Sequence, residues 1–338
     1  MVVRSSLFFR TDRMSVRKIV GSLSPADLIT IAFLNSLNLL GLVFAPRIPN
    51  WWIIITVNLS LCALIVGLAR ASADGSSKFL TGLHRWYLYP AVVFVYMEVD
   101  LMIKPIHSMD YDHLLIAADH WMFGTNPTQW IYRFAHPVLT EVLQIAYFSY
   151  YFLFIALGIE TYREYTPREL DRVGFLLVYG FFLSYLGYFA LPAVGPRFTL
   201  HDFNSLSKDL PGLLFTEPLR NFINAGGGIP PGSVNPVAQV HRDVFPSGHT
   251  QLSLVCVYLA YQHKIKTRHI MAVTVTLLII ATVYLRYHYV IDLLAGALFF
   301  GFTIVSGHHI ERWWNRIRGA ASVPAGSDVR PGAPAETP

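Results

Sequence analysis

The chain has 338 residues, of which 54% are hydrophobic and only 14% are charged, and its mean hydropathy is +0.44. A soluble domain carries roughly a quarter charged residues, because it has an aqueous surface to cover. The composition therefore excludes soluble, disordered, collagen-like and coiled-coil proteins and predicts a polytopic membrane protein. The net charge of +5 gathers in particular loops and does not indicate a nucleic acid partner.

Two cysteines, Cys62 and Cys256, lie within apolar runs. Two residues cannot build a disulfide framework or a thiolate metal cluster. We therefore expect both to be small packing residues of the membrane segments.

A membrane-spanning helix needs about 20 mostly apolar residues, and eight apolar segments have about this length. They lie at 26–45, 51–69, 86–103, 138–158, 173–192, 248–262, 270–287 and 291–307. A further helical pattern at 109–123 is too polar to span, and we expect it to lie in the membrane interface or to cap the bundle. The sequence predicts an all-α integral membrane bundle of about eight transmembrane helices.

Basic residues alternate between the two sides of this topology. The side that carries both termini holds 18 of the 26 lysine and arginine residues, and the other side holds eight. The positive-inside rule then places the N- and C-termini in the cytoplasm. The tail, rich in Pro, Gly and Ala, is predicted to be disordered. The external segment 195–247 is dense in Gly and Pro, and a loop of this length is expected to be either functional or disordered.

Three segments on the predicted external side carry chemistry. The last of them, RYHYVIDLLAG at 286–296, places His288 and Asp292 four positions apart, so a helix puts them on one face. An aspartate beside an imidazole fixes its tautomer, as a nucleophilic histidine needs. The alternative is a structural hydrogen bond between the two side chains.

The middle segment, FPSGHT at 245–250, reads as the start of a helix. Pro246 suits a first helical position, and Gly248 allows a ligand to approach the main chain. The helix N-terminus forms an anion site beside Ser247 and His249. The alternative is a plain turn into a span, with His249 reaching water.

The first segment, LPAVGPRF at 191–198, ends a span at Arg197. Arginine can anchor to lipid headgroups, but its planar fork also binds phosphate oxygens in pairs. Arg286 lies near the third segment on the same side. Two histidines, an aspartate, two arginines and a helix N-terminus together indicate phosphoryl transfer.

These residues resemble the type 2 phosphatidic acid phosphatase (PAP2) superfamily of membrane lipid phosphatases and phosphotransferases. The family's Pro-Ser-Gly-His motif matches residues 246–249, and its His-x₃-Asp motif matches His288 and Asp292 followed by Leu-Leu-Ala-Gly. The resemblance implies a six-helix catalytic core in which His288 becomes a phosphohistidine, Asp292 orients it and His249 is the acid. Ser247 and Gly248 would hold the phosphate.

Two positions depart from the family pattern. Thr282 stands six residues before His288 where the family has arginine, and Arg286 is our candidate for its replacement. Ala190 stands where the first motif has lysine, and the motif arginine follows a proline as Pro196-Arg197. This arrangement and the tract AYFSYYFLF at 146–154 are more similar to the inositol phosphorylceramide synthase-like branch, which makes Arg197 a phosphate ligand.

The resemblance divides the chain into three parts. Residues 1–84 form a basic segment with two extra transmembrane helices, residues 85–310 the catalytic membrane domain and residues 311–338 the cytoplasmic tail. The expected function is transfer or hydrolysis of a lipid phosphate ester at the extracytoplasmic face. No metal or other cofactor is expected, because arginines and helix N–H groups supply the positive charge.

The sequence leaves two alternative roles for some of the other polar residues. His241 and Arg242 either line the site or form an exposed loop pair, and Glu98 and Asp100 either contact a headgroup or cap the bundle. Three histidines are read as interface residues and two lie at the cytoplasmic end; they are His107, His113, His120, His308 and His309. The rival functions are a zinc-dependent intramembrane amidase and a non-enzymatic channel, transporter or scaffold.

Overall fold

The computed structural model describes residues 16–73, 75 and 77–322. The arginines before residue 16 and the predicted disordered tail beyond residue 322 lie outside the described residues. Within the described ranges every regular element is a helix and no β-strand occurs. The predicted all-α class is therefore confirmed.

Twelve helices of nine or more residues position the site. They are α1 (Pro25–Val43), α2 (Trp51–Ala73), α3 (Lys78–Trp86), α4 (Leu88–Ile106), α5 (Asp112–Phe123), α6 (Pro137–Phe148), α7 (Tyr150–Glu164), α8 (Pro167–Ala190), α9 (Thr216–Gly226), α10 (Gly248–Gln262), α11 (Arg268–Tyr284) and α12 (Val290–Ser322). Residues 16–22 are also helical. Short helical turns occur at Pro127–Ile131, Tyr132–Phe134, Pro196–Thr199, Phe203–Ser205, Leu206–Asp209 and Pro236–Gln239.

Helices occupy all eight predicted spans, but not all of them are long enough to cross a membrane alone. Among the described residues, five are long and apolar enough, and the bent pair α6–α7 makes a sixth if it counts as one span. Helices α10 and α11 have 15 and 17 residues. At 1.5 Å per residue they are about 23 and 26 Å long, short of the about 30 Å hydrocarbon core. An integral membrane bundle is confirmed, and the count of eight remains a prediction.

Helix α8 is the centre of the bundle, because it packs against α1, α4, α7, α10 and α12. One buried amide fixes its register. Gln251 on α10 accepts from Ser184 Oγ (2.5 Å) and donates to the Gly180 carbonyl (2.9 Å) and to Thr303 Oγ1 on α12 (3.0 Å). A buried polar network whose members are paired specifies one arrangement of its helices. The ends of α8, α10 and α12 that carry the three motifs therefore meet.

Helices α6 and α7 meet at Ser149 with a bend of 47°. Ser149 donates to the Ala146 carbonyl (2.6 Å), a bond to the preceding turn of the kind that often bends helices. The aromatic tract noted in the sequence lies at this bend. It therefore presents tyrosines to the bundle interior at the level of the motif-bearing helix ends.

The long segment 195–247 is anchored to α6 by one carboxylate. Glu141 accepts hydrogen bonds of 2.6 to 3.2 Å from four consecutive backbone N–H groups and one hydroxyl, those of Leu213, Leu214, Phe215 and Thr216. These bonds cap the start of α9, which packs along α6. The segment is thereby held over the end of the bundle that carries the motifs.

The first helices are not separate from the rest of the described chain. Helix α1 packs on α4, α8 and α12, and Trp314 Nε1 donates to the Leu23 carbonyl (2.9 Å). The predicted boundaries at residues 84 and 310 remain predictions.

Candidate active site

The turn between α11 and α12 aims its side chains in opposite directions. Arg286 has a left-handed backbone (φ 67°), and the N–H groups of Tyr287 and His288 both donate to the Thr282 carbonyl (2.9 and 3.0 Å). Tyr287 and His288 line an internal cavity, and Arg286 does not. A single reversed residue therefore separates the side chain of Arg286 from those that follow it.

His288 and Asp292 form the pair that the spacing predicted. His288 Nδ1 lies 3.4 Å from Asp292 Oδ2, and both residues are buried. The same Oδ2 accepts the Tyr289 N–H (2.9 Å), which fixes the carboxylate. A carboxylate accepts only, so Nδ1 carries the proton and Nε2 keeps its lone pair. This is the tautomer that a nucleophilic Nε2 requires.

His249 faces that lone pair. Its Nδ1 lies 3.4 Å from His288 Nε2. Its ring is held by the tyrosines at the α6–α7 bend, with centroid distances of 4.6 Å to Tyr147 and 4.4 Å to Tyr150. The stacking aligns an imidazole that hydrogen bonds alone would leave free to rotate.

Ser247 is the N-cap of α10. Its Oγ accepts from Thr250 N (3.2 Å) and Thr250 Oγ1 (3.1 Å), and its own N–H donates to the Asp292 carbonyl (3.0 Å). The residue is buried and does not line the cavity. Its predicted contact with phosphate remains a prediction; in the structure it joins α10 to α12.

Gly248 does line the cavity, and no larger residue fits there. A Cβ at this position would lie 2.7 Å from the Tyr188 hydroxyl. Gly248 follows the cap residue, so it belongs to the first turn, where backbone N–H groups lack intrahelical partners. The backbone at Gly248 and His249 therefore offers donors to an anion.

Arg197 reaches the same cavity from the turn after α8. Its Nη1 donates to Asn224 Oδ1 on α9 (2.8 Å), and its guanidinium lies 4.8 Å from the Tyr287 ring centre. Among the described residues it forms no ion pair within 4.0 Å, so its charge is not neutralised by a carboxylate. The predicted phosphate ligand is thus brought beside both histidines.

Arg286 is held elsewhere. Its Nη1 donates to Asp209 Oδ2 (2.8 Å), and its guanidinium lies 5.0 Å from the Tyr132 ring centre. This hydrogen bond holds the pKa of Asp209 below its usual value. Only the Arg286 carbonyl faces the first motif, where it accepts the Arg197 N–H (3.1 Å). The placement does not favour Arg286 as the missing phosphate ligand.

The cavity has a volume of about 600 Å³. Its polar end is lined by Arg197, Asp243, Gly248, His249, Tyr287 and His288. From there it runs along α8 from Tyr188 to Gly174, about 21 Å at 1.5 Å per residue, between walls of apolar and tyrosine side chains. A polar head beside a long apolar channel matches an amphipathic ligand.

Sequence reasoning missed two groups at the polar end. Tyr287 Oη is buried without a hydrogen-bond partner in the described residues. Asp243 lines the cavity and accepts from the Tyr96 hydroxyl (2.6 Å). Their proximity to the motifs in the chain was visible, but nothing in the pattern showed which way they point.

Sequence reasoning also missed the role of α5. Asp119 accepts from Val290 N (2.9 Å) and Ile291 N (2.8 Å), at the start of α12, the helix that carries Asp292. Asp112 accepts from Val194 N (3.0 Å) and Gly195 N (2.8 Å), next to Arg197. The helix read as interfacial therefore clamps two of the three motif segments together.

The remaining polar residues considered in the sequence analysis lie in different parts of the bundle. His241 is buried beside the cavity wall, and Arg242 is paired with Asp110 (3.0 Å). Glu98 is buried against Asn58 Nδ2 (2.5 Å), so it faces the bundle interior. His308, near the far end of α12, contacts Arg172 near the start of α8.

The zinc alternative requires a cluster of ligands. Across residues 16–73, 75 and 77–322, no three His, Cys, Asp or Glu side chains gather in an arrangement that could hold a metal ion. The two motif histidines are instead accompanied by an arginine and by helix N–H groups, which suit an anion.

A family model described as the PAP2 superfamily matches residues 113–306, which is more than half of the chain. The match begins in α5 and ends in α12, so it includes the clamp helix and all three motifs. Comparison with curated proteins and with solved structures gave no match.

Proposed function

This chain belongs to the PAP2 superfamily, and we propose that it transfers the phosphoryl group of a lipid phosphate ester through a phosphohistidine at His288. The observation that carries this proposal is the line of contacts from Asp292 Oδ2 to His288 and from His288 Nε2 to His249 Nδ1, 3.4 Å each. It supports a free lone pair at His288 Nε2 and brings the second motif histidine beside that atom.

The first step forms a bond from His288 Nε2 to phosphorus and breaks the ester P–O bond. The leaving alkoxide takes a proton from His249, and Asp292 stabilises the charge that develops on the attacking imidazole. In the second step water or an alcohol attacks phosphorus and the P–N bond breaks. His249 recovers its proton from the attacking oxygen, so protons balance over the cycle.

The oxygens of the phosphoryl group need donors during both steps. Arg197 supplies a guanidinium that pairs with no carboxylate among the described residues, and the first turn of α10 supplies backbone N–H groups. Tyr287 Oη adds a buried hydroxyl that has no hydrogen-bond partner within the described ranges. A buried unpaired hydroxyl costs about 1–3 kcal/mol, so a bound phosphate oxygen would relieve that cost.

The channel along α8 is our proposed position for the lipid chain. Its walls between α4, α7 and α8 are mostly apolar, and exposed side chains such as Val93 and Ile155 border it. The hydrocarbon chain of the lipid would enter sideways from the bilayer, with the lipid phosphate at the polar end of the cavity. The excess of basic residues on the side of the bundle that carries the termini supports an extracytoplasmic position for that end.

A transferase of the inositol phosphorylceramide synthase-like branch is the finer form of the proposal. The Pro196-Arg197 motif and the tyrosine tract support it, since Tyr147 and Tyr150 hold His249 in place. The choice between phosphatase and transferase depends on which acceptor enters the polar end.

The test is turnover by the purified full-length protein in detergent, on a panel of lipid phosphates and phosphodiester lipids. Each reaction is run with and without vanadate, a chelator and alcohol acceptors. Phosphate release that resists the chelator and is blocked by vanadate supports a phosphohistidine phosphatase, and a new phosphodiester that requires an alcohol supports a transferase. Loss of turnover with the chelator alone would overturn the proposal in favour of a metal enzyme.

A further inference from the structure

A carboxylate stands in the polar end of the catalytic cavity. Asp243 lines the cavity together with Arg197, His249 and His288. Unlike Asp292 it does not contact the nucleophile, and in the described part of the chain it forms no ion pair. A carboxylate accepts hydrogen bonds only and repels a phosphate dianion. Its natural partner in this cavity is therefore a ligand group that donates a hydrogen bond.

One oxygen of Asp243 is already held. Oδ2 accepts from the Tyr96 hydroxyl (2.6 Å), and that hydroxyl lies 2.7 Å from His241 Nδ1. A phenol has a single proton, so Tyr96 donates to Asp243 and accepts from His241. The other oxygen, Oδ1, forms no hydrogen bond with the described residues.

The support behind Asp243 is built from two elements. Tyr96 and Asp100 are four residues apart on α4 and so share a face, and Asp100 Oδ2 lies 3.4 Å from His241 Nε2. The backbone N–H of His241 donates to the Gly227 carbonyl (3.0 Å). Gly228 has φ +84°, and a Cβ there would lie 2.6 Å from His241 Cδ2. The imidazole is thus locked between α4 and the loop, and Tyr96 is locked with it.

We propose that Asp243 forms a hydroxyl-binding subsite that selects an acceptor alcohol with at least two hydroxyl groups. The inference rests on the proposed phosphoryl transfer. One hydroxyl of the acceptor attacks phosphorus and gives its proton to His249, while the P–N bond to His288 breaks. A second hydroxyl donates to Asp243 Oδ1, as charge-assisted hydrogen bonds favour. Asp243 takes no proton in either step, and Tyr96, His241 and Asp100 position it.

The experiment measures selectivity between two acceptors of equal carbon number. Purified full-length protein receives a lipid phosphate donor with glycerol and 1-propanol in competition, and the two phosphate monoester products, glycerol phosphate and propyl phosphate, are quantified by mass spectrometry. We expect the wild type to favour glycerol at least tenfold after correction for its number of hydroxyls. The ratio reports the acceptor subsite alone, because both products share one phosphoenzyme.

In Asp243→Asn, an amide N–H₂ replaces the free acceptor, and we expect the preference to fall to about unity. Tyr96→Phe keeps the carboxylate but frees it to rotate, so part of the preference should remain. Asp202→Asn is the matched control, because this carboxylate caps a loop turn outside the cavity. It should keep the wild-type ratio.

The outcomes separate the two proposals. Phosphate release without transfer to either alcohol, or a wild type that does not prefer glycerol, overturns the subsite and leaves a phosphatase. An unchanged preference in Asp243→Asn overturns it as well, and if that variant does not fold, an unchanged preference in Tyr96→Phe does so. A protein that turns over no phosphate ester removes the proposed function and the subsite together.

Discussion

His288 Nε2 and His249 Nδ1 lie 3.4 Å apart, although 39 residues separate the two histidines in the chain. Because His288 Nδ1 donates its N–H to Asp292 Oδ2, the proton between the two rings belongs to His249. Under the proposed mechanism, His288 Nε2 is then the nucleophile and His249 is the acid. The geometry also makes the two roles separable by experiment.

Replacing His249 by alanine should impair turnover according to the leaving group. An alkyl phosphate needs a proton on its departing oxygen, and we expect its kcat/KM to fall about 10²–10⁴-fold, the usual contribution of a general acid. An aryl phosphate such as 4-nitrophenyl phosphate leaves without that proton, so formation of the phosphoenzyme should lose far less. The check is the burst of nitrophenol in single-turnover kinetics; equal losses for both substrates would contradict the acid role.

Replacing Arg197 by lysine should weaken catalysis even though the charge is kept. A lysine cannot bind two phosphate oxygens in one plane or retain the hydrogen bond to Asn224. We expect kcat/KM to fall about 10²-fold, in line with loss of a donor to the transition state. Arg133→Lys is the control, since Arg133 contacts Trp130 away from the cavity. Wild-type kinetics in Arg197→Lys would reduce Arg197 to a structural residue.

Replacing Asp119 by asparagine should affect stability and rate together. The amide retains one acceptor for the two N–H groups at the start of α12 and loses the charge at the helix N-terminus, which costs about 1 kcal/mol. Because Asp292 lies in that first turn, kcat should also fall several-fold. Asp171→Asn, at the opposite end of the bundle where it pairs with Arg85, should leave kcat unchanged. Melting temperature and kcat are measured in the same preparation, and a normal kcat would remove the clamp from the mechanism.

Stability should fall as the pH is lowered from about 7 toward 5. Burial, helped by the charge of Arg286, lowers the pKa of His201 to about 4, whereas an unfolded histidine has a pKa near 6.5. Between pH 4 and pH 6.5 the unfolded chain binds more protons at His201 than the folded chain does. The contribution of His201 to the free energy of unfolding is therefore fully present above about pH 6.5 and is lost as the pH falls toward 4. His201→Gln removes this titration. Its melting temperature in detergent should change less between pH 7 and pH 5 than that of the wild type, and an identical pH dependence would refute the assignment.

Most of the fold class and the motif residues could be predicted from the sequence because both depend on local patterns. Runs of apolar residues gave the positions of the helices, and the four-residue spacing of His288 and Asp292 gave their pairing. The number of spans could not be predicted as well. Helices α10 and α11 are shorter than a bilayer core, and length alone does not show how such helices cross.

The contacts that assemble the site could not be predicted, because they join residues far apart in the chain. Asp119 and Val290 are 171 positions apart, and Tyr96 and Asp243 are 147 apart. Arg286 shows the opposite difficulty. It is two residues from the nucleophile, yet its left-handed backbone turns its side chain toward Asp209. Sequence proximity to a motif does not determine the direction of a side chain.

The most direct test of the central claim is to trap the phosphoenzyme. The wild-type protein is mixed with a ³²P-labelled lipid phosphate, quenched in alkali, which preserves phosphohistidine, and digested for peptide mapping. We predict label on His288 in the wild type, which is lost on acid treatment, and no label in His288→Ala protein that is folded by its melting temperature. Label on another residue, or turnover by His288→Ala at the wild-type rate, would contradict the account.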